Sequence, residues 1–252
     1  MLTDTHCHIH EAGYPLDVGD VMSRAHNMGV GKMICVGTDN TTSEEAVNFA
    51  RNHENVWASV GAHPHDAKDG FERVGELLHL RDEHSSIVAV GEIGLDYFYT
   101  HSPREVQIAA FEAQLQMAHE AKLPVIFHVR EAFDDFWPIF SNFRGLRGVL
   151  HSFTDNTSNL ERGLSEGLYI GLNGISTFTK DENQQKIFDS IPENHMLFET
   201  DAPFLTPSPH RGKVNEPAFV RHVAEYHASR RGVELEHLAR VTSANASTLF
   251  GV

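Results

Sequence analysis

His6 and His8 stand one residue apart in a run of strand-forming residues, Thr3-Asp4-Thr5-His6-Cys7-His8-Ile9. Strand side chains alternate faces, so the two imidazoles share a face and Cys7 takes the other. Two imidazoles at that spacing can grip one cation from a single strand. A pair of hydrogen-bonded core histidines is the ordinary alternative. Further along the chain, four more metal-competent groups follow apolar runs. Glu92 comes after Ile87-Val88-Ala89-Val90-Gly91, His128 ends Pro124-Val125-Ile126-Phe127, His151 ends Gly148-Val149-Leu150, and Asp201 follows Met196-Leu197-Phe198-Glu199-Thr200. Four histidines and two carboxylates suit Zn2+, Mn2+, Fe2+ or Co2+ better than the oxygen-seeking Mg2+ and Ca2+. Six ligands exceed the need of one tetrahedral ion, so two divalent ions sharing a carboxylate are expected, with chemistry that is hydrolytic.

Such groups need a frame that brings strand ends together. Apolar, β-branched runs near 2–8, 32–38, 56–62, 87–91, 124–129, 147–151, 168–173 and 196–200 read as strands. Helical patterns near 18–28, 43–53, 71–83, 103–121, 131–143, 157–166, 181–190 and 217–231 lie after them. This alternation implies parallel sheet, and eight units in a chain of this length predict a (β/α)8 TIM barrel of the metallo-dependent hydrolase type. A doubly wound open sheet is the alternative. In a barrel the six ligands fall on one rim, supplied by strands one, four, five, six and eight.

Local signals set boundaries. Ser102, Pro103 and Glu105 read as N-cap, N1 proline and N3 acid, and Thr42 with Glu45 as a capping box. Asp181 is expected to cap the seventh helix, Pro217 to open the eighth, and Pro138 to shorten the fifth. No linker or repeat interrupts residues 1–252, so one domain is expected.

The chain has 252 residues, 18 histidines and a formal net charge of -15. That charge repels polyanions at long range, which counts against groove-wide DNA binding but not against an enzyme whose ions meet one phosphate. Two cysteines, Cys7 and Cys35, cannot build a disulfide framework and read as core packing. The start lacks a basic region followed by an apolar stretch, and no run is long enough to span a bilayer. The expectation is a cytoplasmic protein with no membrane partner and no obligate protein partner.

A second set of residues surrounds the ligands. His63, in Gly61-Ala62-His63-Pro64-His65, is placed to hydrogen-bond a substrate phosphate, and Arg130 shares the face of His128 as a possible phosphate fork. Arg211 and Lys213, after the last strand, are further candidate phosphate contacts, and Asp4 and Asp96 are candidate acceptors for ligand histidines.

These motifs together resemble the TatD family of metal-dependent deoxyribonucleases, within the wider amidohydrolase-like group. The resemblance runs through Thr3-Asp4-Thr5-His6-Cys7-His8, Gly61-Ala62-His63-Pro64-His65, Gly91-Glu92-Ile93-Gly94-Leu95-Asp96-Tyr97 and Leu197-Phe198-Glu199-Thr200-Asp201-Ala202-Pro203, then Arg211-Gly212-Lys213 and Asn215-Glu216-Pro217. It implies a (β/α)8 barrel, one ion held by His6, His8, Glu92 and Asp201, and a second by Glu92, His128 and His151. It also implies dependence on magnesium or another divalent ion and 3′-5′ exonuclease action on single-stranded DNA or 3′ ends. Asp155 departs from the pattern, standing in His151-Ser152-Phe153-Thr154-Asp155 where the family often has glycine. Asp201 is the expected general base and Glu92 the bridging carboxylate, with His63, Arg130 and Arg211 on the substrate. An amidohydrolase or deacylase acting on a small carbonyl or ester is the alternative enzyme, and a metal-binding protein without catalysis the alternative class.

Overall fold

Strand and helix alternate along the chain as the apolar periodicity requires. In a computed structural model that describes residues 1–81, 86–99 and 101–252, the strands are β1 (Leu2–Cys7), β2 (Val30–Val36), β3 (Val56–Val60), β4 (Ile87–Asp96), β5 (Val125–Arg130), β6 (Gly148–Leu150), β7 (Tyr169–Leu172) and β8 (Met196–Phe198). They form one parallel sheet in sequence order, the connectivity of a (β/α)8 fold. The helices among the described residues are α1 (Val18–Asn27), α2 (Asn40–Arg51), α3 (Glu72–His79), α4 (Arg104–Ala121), α5 (Phe133–Phe140), α6 (Thr157–Ser165), α7 (Ile175–Phe178), α8 (Glu182–Ser190), α9 (Val220–Arg231) and α10 (Leu235–Phe250). The end of the helix expected over 71–83 lies outside the described residues. No helix among the described residues is long and apolar enough to cross a membrane.

The residues group into two compact units, Val36–His151 and the remainder, Met1–Cys35 with Ser152–Val252. In the central unit, alternation along β5 sends Phe127 to an aromatic cluster with Phe111, Phe136 and Phe140, at ring separations of 6.2, 5.2 and 5.7 Å. His128, the next residue, therefore faces the other way. Pro138 sits inside α5, which runs for only eight residues. In the terminal unit, β1 returns to the chain after β8: the N–H of His8 donates to Ala202 O and that of Asp201 to His6 O, both at 2.8 Å. Cys7 and Cys35 are buried, unoxidised register partners on β1 and β2.

Several boundaries differ from the sequence reading, each through a side chain that found another partner. Asp39, not Thr42, caps α2; Thr42 is its N3 partner in a reciprocal box. Ser102 does not cap α4. Its hydroxyl donates to His65 O at 2.7 Å, and Pro103 takes the cap position. Asp181 caps α8 as expected, accepting from the N–H groups of Asn183 and Gln184. Pro217 opens a short 3-10 turn that leads into α9.

Helix α10 escapes a periodicity search because polar residues occupy its buried stripe. Thr242 and Asn245 stand among Leu238, Ala239, Ala246 and Leu249. Asn245 is accommodated there by donating to the carbonyls of Glu193 and Met196 at 2.8 and 2.9 Å.

His227 on α9 makes a further buried polar contact, with Nε2 2.9 Å from Ser176 Oγ and the ring stacked on Phe198. Burial pushes its pKa from the ordinary 6.5 down to about 3. The native ring stays neutral while the unfolded chain takes up a proton. Its stabilisation is therefore complete above pH 6.5 and is lost as pH falls through 6.5 towards 3, at about 1.4 kcal/mol per pH unit. His227→Gln should lose less stability than the wild type between pH 7 and pH 4.5, by about 2 to 3 kcal/mol in urea melts. Equal losses in the two proteins would refute the assignment.

Candidate metal centre

Glu92 lies inside β4, not after it, because β4 runs on to Asp96. The extension depends on Gly94, whose φ is +150° and where a Cβ would stand 1.9 Å from His128 O. Only glycine permits that approach of β4 to β5, which pairs Gly94 with His128 in register. His128 is likewise inside β5.

Around Glu92 the central unit gathers three imidazoles. Its Oε1 is 2.8 Å from His128 Nδ1, 3.6 Å from His63 Nε2 and 3.8 Å from His151 Nε2. The other nitrogen of His128 is 2.9 Å from Asp96 Oδ2. Burial opposes charge on His128, yet Asp96 and Glu92 outweigh it and raise its pKa. A neutral ring donating Nε2–H to Asp96 would aim its Nδ1 lone pair at the Glu92 oxygen. Two acceptors at that distance repel each other, and a cation between imidazole and carboxylate removes the conflict. Asp96 thus orients the His128 ring.

His63 plays a different part. The N–H of His65 donates to His63 Nδ1 at 3.1 Å, so the neutral ring carries its proton on Nε2, which faces Glu92. Burial first, and the neighbouring His128, hold the His63 pKa well below its ordinary value. In that tautomer His63 is a donor and not a ligand. His65 and His128 can also offer ligand atoms close to His63. However, the Nε2 atoms of His65 and His128 both engage Asp96 Oδ2, at 3.0 and 2.9 Å, which makes this a carboxylate-histidine network. His65 is missing from the sequence reading although the His63-x-His65 spacing could have revealed it.

The terminal unit brings together His6, His8 and Asp201. His6 Nε2 and His8 Nε2 are 3.2 Å apart, and Asp201 Oδ1 is 3.6 and 3.4 Å from them. A point equidistant from three atoms so spaced lies about 2.0 Å from each, within the usual range for zinc with nitrogen or oxygen ligands. The triangle is thus sized for an ion. Asp201 reaches it from a left-handed backbone (φ 59°), unusual for any residue but glycine and least so for Asp and Asn. Glu11, whose Oε1 is 3.4 Å from His8 Nδ1, supplies the outer carboxylate for His8. Asp4 does not. Its carboxylate accepts from Thr200 N–H and Oγ1 at 2.8 and 2.6 Å and only from the backbone N–H of His6. Burial pushes its pKa up to about 8, so it pins β1 to the chain after β8 as a largely uncharged group.

Glu199, two residues before Asp201, is a buried carboxylate that the sequence reading passed over. It accepts from the N–H of Ser152 at 2.7 Å and fills the space that a side chain at Gly171 would need. Arg130 pairs with neither Glu131 nor Asp134; its guanidinium lies over Phe98 at 4.0 Å and Tyr99 at 4.9 Å. Arg211 is held in its own loop, donating to Thr206 O at 2.7 Å and stacking on Phe178 at 3.7 Å. Asp155 secures the start of α6, accepting from Asn156 N–H at 2.8 Å and Asn159 Nδ2 at 2.6 Å.

Comparison with known proteins follows the same lines. Residues 3–251 match the family described as TatD related DNase. An uncharacterized metal-dependent hydrolase of Bacillus subtilis, YabD, is 34% identical over the whole of both chains. The 3′-5′ ssDNA/RNA exonuclease TatD of Erwinia amylovora is 37% identical over 94% of both. The crystal structure of YJJV, a TatD homologue from Escherichia coli K12, superposes with a TM-score of 0.91 at 29% identity, covering 100% of this chain and 98% of that one.

Proposed function

Since the chain belongs to the TatD related DNase family of (β/α)8 metal-dependent hydrolases, we propose that it is a 3′-5′ exonuclease acting on single-stranded DNA or 3′ ends. The name borne by its Erwinia relative supports that reading. In this reading residues 1–252 act as one catalytic domain. Two divalent ions would be held by these side chains, one by His6, His8, Asp201 and Glu92 and the other by Glu92, His128 and His151. The observation that carries the reading is the ion-sized triangle of His6, His8 and Asp201. The imidazole-rich donor set favours Zn2+ or Mn2+ over Mg2+. When bound, such ions polarise a phosphate oxygen and acidify water.

The chain's own groups supply the rest. Asp201 takes the proton of the attacking water as general base. Glu92 would supply the carboxylate shared by the two ligand groups. His63 donates its Nε2–H to a non-bridging phosphate oxygen, a role consistent with its tautomer. Arg130 adds positive charge close to the ring pair Phe98 and Tyr99. Arg211, held by Thr206 and Phe178, is a further phosphate contact in this reading.

The test is hydrolysis of a 3′-tailed single-stranded oligonucleotide by metal-stripped protein reloaded with Zn2+, Mn2+ or Mg2+. Stepwise loss of 3′ nucleotides is expected with at least one ion and none with the stripped protein. Turnover of a panel of N-acyl substrates with no cleavage of the oligonucleotide would support the deacylase alternative and defeat the nuclease reading.

A further inference from the structure

Among the described residues, the large apolar side chains open to solvent are Met1, Leu80, Phe98, Tyr99 and Phe204. The three aromatic members all adjoin candidate ligand groups. Phe98 and Tyr99 lie two and three residues after Asp96, and their N–H groups donate to Asp96 Oδ1 at 3.0 and 2.8 Å. The other oxygen of that carboxylate holds His128. One buried side chain therefore fixes both the His128 ring and the backbone under the two rings. Arg130 lies over both rings, His101 stacks parallel to Tyr99 and the His65 ring meets Tyr99 edge-on at 5.5 Å. Phe98 and Tyr99 remain 50% and 42% exposed. In the terminal unit, Phe204 is 58% exposed with its ring 6.5 Å from that of His8.

Exposing Phe98 and Tyr99 side by side has a hydration cost that a flat ligand stacked on them would remove. Their surroundings indicate a ligand with flat, weakly charged faces. The chain's net charge of -15 opposes a polyanion at long range, so affinity for a nucleic acid must come from short-range contacts that need no cation. Nucleobases supply such contacts by stacking, but only when unpaired, because in a duplex their faces are already covered. We infer that Phe98 and Tyr99, braced by Arg130, form a stacking subsite for unpaired nucleobases next to the scissile phosphate. This inference rests on the nuclease reading of the same site. It assigns the preference for single strands to these rings, and the role of Arg130 becomes that of a brace for Phe98 and Tyr99. Binding should also depend weakly on salt, since few phosphates are neutralised by protein cations.

The full-length, metal-loaded protein tests this. Phe98→Ala and Tyr99→Ala change exposed positions, so the fold should persist. Each variant should raise KM for a single-stranded oligonucleotide by about tenfold to a hundredfold, with kcat within about twofold. Fluorescence anisotropy with a cleavage-resistant phosphorothioate oligonucleotide should show the same loss of affinity. An oligonucleotide carrying abasic analogues at its last two 3′ positions should bind wild type and variants equally, and Phe98→Tyr/Tyr99→Phe should restore wild-type affinity. Unchanged KM and unchanged binding in both alanine variants would overturn the inference while leaving the nuclease reading intact. If the wild type binds the oligonucleotide through these rings but does not cleave it with any of Zn2+, Mn2+ or Mg2+, the nuclease reading fails and the stacking subsite stands. If the wild type does not bind it, the subsite falls too.

Discussion

Glu92→Gln is expected to release metal and lower turnover by roughly a thousandfold or more, while the protein stays folded. The substitution keeps the volume of a buried side chain and removes its charge. In the native site one oxygen of Glu92 is approached by His128, His63 and His151 within 3.8 Å. A neutral amide cannot balance the two dications proposed for this site. Cation stabilisation of the transition state amounts to several kcal/mol, and each 1.36 kcal/mol is a factor of ten in rate. The expected result is a metal content well below two ions per chain by elemental analysis, with a circular dichroism spectrum like that of the wild type. A Glu92→Gln protein that binds two ions and turns over at half the native rate would remove Glu92 from the centre.

Asp201→Asn separates catalysis from structure more cleanly. Asp201 adopts a left-handed backbone that asparagine tolerates equally well. Its N–H donates to His6 O and would do so unchanged in the variant. Lost are the charge facing His6 and His8 and the basic oxygen assigned to the attacking water. General-base removal alone typically costs 10²- to 10⁴-fold. The variant should therefore melt within a few degrees of the wild type, fall by about that factor in kcat, and shift KM little. A wild-type rate in Asp201→Asn would end its assignment as base. A large loss of thermal stability would show instead that its carboxylate serves the fold through His6 and His8.

How much of this could be read from the linear chain varies residue by residue. Strand alternation correctly placed His6 and His8 on one face with Cys7 on the other, because a period of two is a property of the backbone. The same alternation separated Phe127 from His128. Helix ends were less legible. Ser102 looked like a cap, but the carbonyl of His65, 37 residues away, took its hydroxyl. Helix α10 was hidden by Thr242 and Asn245 on its buried face, where Thr242 donates to Leu238 O and Asn245 to the carbonyls of Glu193 and Met196. Asp4 and Asp96 looked alike as acceptors for ligand histidines, yet Thr200 claimed Asp4 whereas His65 and His128 share Asp96. Glu199 and His65 went unnoticed, though both sit two residues from a residue already singled out.

The sequence by itself determined the donor types, the repeating strand-helix order and the family, since these depend on residue identity and local spacing. Only the tertiary structure decided which imidazole nitrogen meets which carboxylate, that His63 carries its proton on Nε2, that Arg130 lies on Phe98 and Tyr99, and that the ligand atoms of His6, His8 and Asp201 are spaced for an ion. Those facts depend on register and close backbone approach, at Gly94 against His128 and at the left-handed turn of Asp201, where residues distant in sequence come within hydrogen-bonding distance. No local pattern encodes such distances, because they arise only when the strands have paired.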